Sequence, residues 1–116
     1  MIKLEEDKRL NLFKRSLSLI PKTKGFVIFR NPISEKFIQF AWNDGHFYLD
    51  IPYGEKCSTQ PSLQEIKKHF SKLDIGEMSV IKLCNLKEAV EYTEVFFKKV
   101  CNLKENYLFT IKVIVE

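Results

Sequence analysis

The chain of 116 residues is poor in the side chains on which most enzymes and metal proteins depend. It has three cysteines, Cys57, Cys84 and Cys101, and two histidines, His46 and His69. No cysteine lies in a C-x-x-C pair, and a structural zinc site needs four ligands that converge, so we predict no metal site. An odd, widely spaced set of thiols favours a reduced, cytoplasmic protein.

Sequence motifs typical of catalysis are also missing. The chain contains no G-x-G-x-x-G, no P-loop, no H-E-x-x-H and no G-x-S-x-G, which argues against the common nucleotide and hydrolase chemistries. We therefore predict no catalytic residue, no cofactor and no enzymatic activity. One alternative stays open, because Cys84 precedes the expected helix N-cap Asn85 and a helix N-terminus can activate a thiol. A small enzyme that uses Cys84 is thus an alternative function.

Long apolar runs are absent as well, and the longest are of strand length, so no membrane span is predicted. The opening residues MIKLEEDKRLNLF carry acids and lack the apolar core of a signal peptide, so we expect no secretion signal. The net charge is +4 and the basic residues are scattered. Binding of single-stranded nucleic acid needs exposed rings among basic residues, and the strand aromatics are expected on a covered face. Nucleic acid is therefore not a predicted partner.

The clearest positive signal is Asp44-Gly45, which lies between two apolar runs and is typical of a two-residue hairpin loop. With that loop, the apolar side chains of both strands fall on one face, since side chains alternate along a strand. A three-residue loop would set Phe40 against Tyr48 and mix the two faces. The apolar pairs predicted by the two-residue loop are Trp42–Phe47, Phe40–Leu49 and Ile38–Ile51.

Periodicity and capping signals place the other elements. A helix is predicted over 5–19 and is stopped by Pro21, and a three-stranded meander covers 25–52. Ser62 begins a second helix with the S-x-x-E capping box, and this segment ends at Gly76. A strand over 78–83, a third helix from Asn85 to about Cys101 and a strand over 107–115 complete the chain.

These elements predict one α+β domain over residues 1–116. Its order is α-β-β-β-α-β-α-β, with a mostly antiparallel five-stranded sheet and helices on one face. The last strand is so apolar that we expect it in the interior of the sheet, with a neighbour on each side.

Alternation leaves a mixed apolar and polar set on the sheet face opposite the helices, and such a patch often marks a partner contact. We expect another protein or a peptide to bind there, or a second copy of the chain to form a homodimer. The predicted partner-binding residues are Phe37, Gln39, Tyr48, Thr110 and Ile114.

The stretch FVIFRNPISEKFIQFAWNDGHFYLDIP, with a helix before it and another after it, resembles the core of small bacterial α+β domains of the type III secretion chaperone and YbjN-like group. The resemblance covers about residues 5–75, including the FIQF strand. It implies a cytoplasmic domain that binds proteins or peptides, often as a dimer, without catalytic residues. After residue 76 that group continues with two strands and a helix, whereas a strand, a helix and a strand follow here, and no binding residue carries over.

The expected function is therefore a non-catalytic interaction module, chaperone-like or regulatory. The alternative is an immunity-type inhibitor that binds a toxin. A chaperone should bind extended segments through apolar surface. An inhibitor should use charge complementarity, and a net charge of +4 would then favour an acidic partner.

Overall fold

The computed structural model describes residues 2–23, 25–54, 59–70, 74–75, 79–83 and 85–115. The predicted α+β class and element order are confirmed, with one additional two-residue strand, Asp74–Ile75. The elements are α1 (Ile2–Thr23), β1 (Phe26–Arg30), β2 (Phe37–Asn43), β3 (His46–Asp50), α2 (Leu63–His69), β4 (Asp74–Ile75), β5 (Ser79–Leu83), α3 (Leu86–Val95) and β6 (Thr110–Ile114).

All strands pair antiparallel, in the spatial order β4-β5-β3-β2-β1-β6. The expectation of an interior last strand is wrong, because β6 lies at one edge and pairs with β1. The reason is the pairing of the first three strands, which form a meander. Since β1, β2 and β3 pair consecutively, only the outer sides of β1 and β3 remain for later strands. β5 takes the side of β3, and β6 takes the side of β1.

The hairpin between β2 and β3 has the predicted two-residue loop. Trp42 faces Phe47 and Phe40 faces Leu49 in the strand register, and the Trp42 and Phe47 rings lie 4.8 Å apart edge to face. Asp44 and Gly45 have φ values of 49° and 80°, and positive φ at both positions is the signature of a type I′ turn.

Two helix ends differ from the prediction. α1 continues past Pro21 to Thr23, because a proline in the last turn removes only one backbone hydrogen bond. α2 ends at His69, and Asp74–Ile75 forms a short strand instead of helix. Gly76, the predicted terminator, lies outside the described residues.

Both predicted N-caps are present. The Ser62 hydroxyl accepts a hydrogen bond from the Glu65 backbone N–H at 3.2 Å, and the Asn85 side-chain oxygen accepts one from the Glu88 N–H at 2.9 Å. These contacts satisfy backbone donors that a helix N-terminus otherwise leaves unpaired. The Glu65 carboxylate pairs with the Lys68 amine at 2.8 Å.

The core fills the space between the helices and one face of the sheet. α3 ends in a π-helical turn, Phe96–Val100, which buries the neighbouring rings of Phe96 and Phe97 together. The fully buried side chains with the largest volumes come from helices and strands alike: Phe13, Phe29, Phe40, Phe96, Phe97, Leu17, Ile20, Ile38, Leu49, Ile51, Ile66 and Ile81.

Candidate functional site

The sheet face opposite the helices, here called the open face, carries the predicted partner-binding residues. Phe37 and Gln39 lie on β2, and Tyr48 lies on β3. Thr110 and Ile114 lie on β6, and β1 runs between the two groups. The structure therefore brings the five residues to one face in two groups separated by one strand.

The residues of β1 on this face were missed by the sequence reasoning. Phe26 pairs with Ala41 on one side and Ile114 on the other, and Ile28 pairs with Gln39 and Lys112. The available signal was the alternation within FVIFR. With Val27 and Phe29 in the core, where the structure buries them, Phe26 and Ile28 must point to the opposite face. β1 thus supplies the centre of the open face.

A first depression of about 400 Å³ lies over β1, β2 and β3. The amide of Gln39 donates a hydrogen bond to the Asp50 carboxylate at 2.6 Å, which fixes two polar groups beside the Tyr48 ring. The first depression therefore places the Tyr48 ring beside two polar groups whose orientation is fixed by their hydrogen bond. It is lined by Phe26, Gln39, Phe40, Ala41, Asn43, Tyr48 and Asp50.

A second depression of about 510 Å³ also draws on β1 and β2 and extends to β6. Arg30 at its border pairs with the Glu35 carboxylate at 3.1 Å. Phe37 forms part of the lining together with Ile28, Thr110 and Lys112.

Gln60 connects the start of β2 to Pro52, next to the second depression. Its side-chain oxygen accepts from the Phe37 N–H, and its amide donates to the carbonyls of Phe37 and Pro52, each at 2.8 Å. Gln60 is also buried. Three satisfied hydrogen bonds on one buried side chain predict a rigid border to the second depression.

The titratable groups near the sheet include two histidines and one thiol that the structure describes. The described residues include no cluster of three or more histidine, cysteine or acidic side chains that could hold a metal. Cys57 and Cys84 lie outside the described residues. Burial raises the pKa of Cys101 to about 12, so this thiol stays protonated at neutral pH. His46 at the hairpin end is half-buried, and His69 is exposed.

Comparisons of the chain with protein-family models, curated proteins and solved structures return no match. Among the described residues, no helix combines the length and apolar character needed to cross a membrane. The geometry of the open face is thus the basis for a functional proposal.

Proposed function

We propose that the protein is a non-catalytic, cytoplasmic interaction module that binds another protein on its open face. The observation that supports this proposal most is the pair of adjoining depressions, of about 400 and 510 Å³, on a sheet face opposite the helices. Half-buried apolar side chains connect them along β1, with Phe26 beside Ile114 and Ile28 beside Lys112. An apolar patch rimmed by polar groups is the usual form of a protein contact.

The charged residues of the face suggest the chemistry of the partner. Lys82 lies opposite Tyr48, and Lys112 lies opposite Ile28. Both lysines are exposed. The apolar side chains of β1 with exposed cations at two borders complement a protein surface that has an apolar patch bordered by carboxylates. The Asp50 carboxylate in the first depression would instead face a hydrogen-bond donor of that partner. A stable contact would bury about 1,200 Å² or more in total.

The two lysines also favour the second candidate, an immunity-type inhibitor of an acidic partner. The two functions differ in their dependence on salt. An inhibitor that is steered by charge should associate more slowly as ionic strength rises, because salt screens exposed charges. A chaperone-like module that binds apolar segments should show a much weaker dependence.

The experiment compares two double variants that add the same charge. Tyr48→Glu with Ile114→Glu alters the open face, whereas Asn11→Glu with Gln64→Glu alters exposed positions on α1 and α2. Mass in solution tests the homodimer, and capture followed by titration of the purified partner tests the binding site. We expect the open-face variant alone to lose the partner or the dimer. If folding, mass and partner affinity are the same in both variants, the open face is not the binding site.

A further inference from the structure

We infer that the free edge of β6 and the adjoining flank of α1 form a second binding surface, which takes an extended acidic segment of a partner protein as an added strand. Among the described strands, β6 pairs with β1 alone. About half of the N–H and C=O groups of an edge strand point away from its neighbour. Such an edge can bind a peptide by main-chain hydrogen bonds, with alternate side chains providing specificity.

Exposed apolar side chains gather at this edge. Leu12 lines a depression of about 390 Å³ with Leu108 and Phe109, at the approach to β6. Leu108 precedes β6 and also lines a neighbouring depression with Ile33. The large hydrophobic residues with high exposure among the described residues are Leu12, Leu19, Ile33, Leu108, Val113 and Val115. Single exposed apolar residues are common on protein surfaces, but a set concentrated at an open sheet edge indicates a contact with a partner.

α1 packs against β1 and β2, and two contacts place β6 beside the α1 segment. The Phe13 ring lies 4.9 Å from the Phe109 ring. Gly25, just after the helix, touches the backbone of Ile114 and Val115. Leu12 is therefore level with the start of β6, and a residue two turns later lies towards its end. Leu19 is that residue, and it is 45% exposed.

The exposed charges on α1 and β6 indicate which kind of partner segment fits this surface. Lys8, Arg15 and Lys22 are exposed and alternate with the two leucines at three- and four-residue spacing, so they share one stripe of the helix. Lys112 adds a further exposed cation on β6. A second copy related by a two-fold axis would bring this basic stripe against itself. In an added strand, alternate side chains point to opposite faces of the sheet. The apolar side chains of an alternating apolar and acidic segment would therefore face the leucines beside Val113, and its acidic side chains would face Lys112 on the open face.

This surface shares Lys112 with the second depression of the open face, so its test uses residues of α1, which the open face does not include. The probe is a fluorescent nine-residue peptide in which valine alternates with glutamate. Two peptides of equal length serve as controls: one has lysine in place of glutamate, and the other has proline in place of the central valine. Binding is measured by anisotropy, and backbone amide chemical shifts locate the peptide. We expect the acidic peptide to bind and to shift the amides of residues 110–114. The proline peptide should bind at least tenfold more weakly, because it loses a main-chain donor.

Two double variants of α1 provide the matched comparison. Leu12→Glu with Leu19→Glu changes the flank beside β6, and Asn11→Glu with Ser18→Glu adds the same charge at the adjacent exposed positions. The first pair should weaken peptide binding about tenfold more than the second, while Tyr48→Glu leaves it unchanged. Equal binding of the proline peptide would overturn strand addition and leave simple charge attraction. The proposal also fails if the amide shifts lie elsewhere, or if the protein is a dimer that Leu12→Glu with Leu19→Glu converts to a monomer.

Discussion

Gly25 and Ile114 are in backbone contact, so close that a Cβ atom at position 25 would overlap the carbonyl oxygen of Ile114. The contact joins the end of α1 to the end of the edge strand. Glycine is required here because of close approach.

Gly25→Ala should therefore destabilise the protein by about 1–3 kcal/mol, the usual cost of forcing extra atoms into a packed region. Urea denaturation measures the change. Amide exchange should increase most in β6, since the added methyl group displaces that strand. A stability equal to that of the wild type would show that the two backbones are not in contact.

Substitution of Gly45 tests the type I′ turn between β2 and β3. Its φ is 80°, and no atom lies within 4 Å of the place where a Cβ would stand. Gly45→Val should thus lose about 1–2 kcal/mol through backbone strain alone. Gly45→Asn is the matched control, because asparagine tolerates positive φ, and it should unfold at nearly the wild-type urea concentration. An equal loss in both variants would contradict the type I′ turn.

Arg9 and Glu94 connect α1 to α3 through a buried ion pair. Arg9 is 4% exposed, and its Nε donates to the Glu94 carboxylate at 3.0 Å. The guanidinium also lies 4.4 Å from the centre of the Tyr107 ring and donates to the Glu105 carbonyl at 2.6 Å. Burial opposes the charged form, but the hydrogen bond and the charge of Glu94 outweigh it, and the pKa of Arg9 is raised.

Arg9→Met should lose about 3 kcal/mol of stability, because it leaves the Glu94 carboxylate without its main partner in a largely buried place. The double variant Arg9→Met with Glu94→Met should recover much of that loss, since no lone charge remains. Urea unfolding of the two single variants and the double variant gives the coupling energy. Additive losses would mean that the two side chains do not act as a pair.

Alkaline pH should destabilise the protein through Cys101. Burial raises its pKa from 9.0 to about 12, so above pH 9 the unfolded thiol loses its proton while the folded thiol keeps it. The stabilising contribution is complete below about pH 9 and falls as the pH rises towards 12. Burial likewise raises the pKa of Tyr107 above its ordinary value of 10.0, which adds to the loss at higher pH.

Cys101→Ala should therefore reduce the fall in urea midpoint between pH 7 and about pH 10, and Cys101 should label with a thiol reagent far more slowly in the folded than in the unfolded chain. The same labelling on a variant that keeps only Cys84 tests the enzyme alternative. A Cys84 thiolate that forms well below the ordinary pH range of a thiol would support that alternative. If the urea midpoint of Cys101→Ala falls with pH as much as that of the wild type, Cys101 is not the source of the alkaline destabilisation.

Local signals in the sequence were sufficient for much of the fold. Asp44-Gly45 fixed the register of β2 and β3, and Ser62 and Asn85 marked the starts of two helices. In each case the decisive physics acts over a few residues, as turn dihedrals or capping hydrogen bonds.

Long-range placement was harder to predict. The apolar alternation of 107–115 indicated a strand but not its position in the sheet, which depends on the pairings that the earlier strands leave free. Arg9 was also missed as a core residue. It lies four residues before Phe13 on the buried stripe of α1, and that spacing was the available signal. Its partners, Glu94 and Tyr107, are far away in sequence.

The most direct test of the open-face proposal is site-specific photo-crosslinking in cells that naturally contain the protein. A photoreactive phenylalanine derivative replaces Tyr48 on the open face or, as the control, Gln64 on the exposed side of α2. We predict one discrete protein adduct from position 48 and none from position 64. The adduct partner, once purified, should bind the wild-type protein and lose that binding with Tyr48→Glu. An adduct from position 64 alone, or a purified partner that binds Tyr48→Glu as tightly as the wild type, would contradict the proposal.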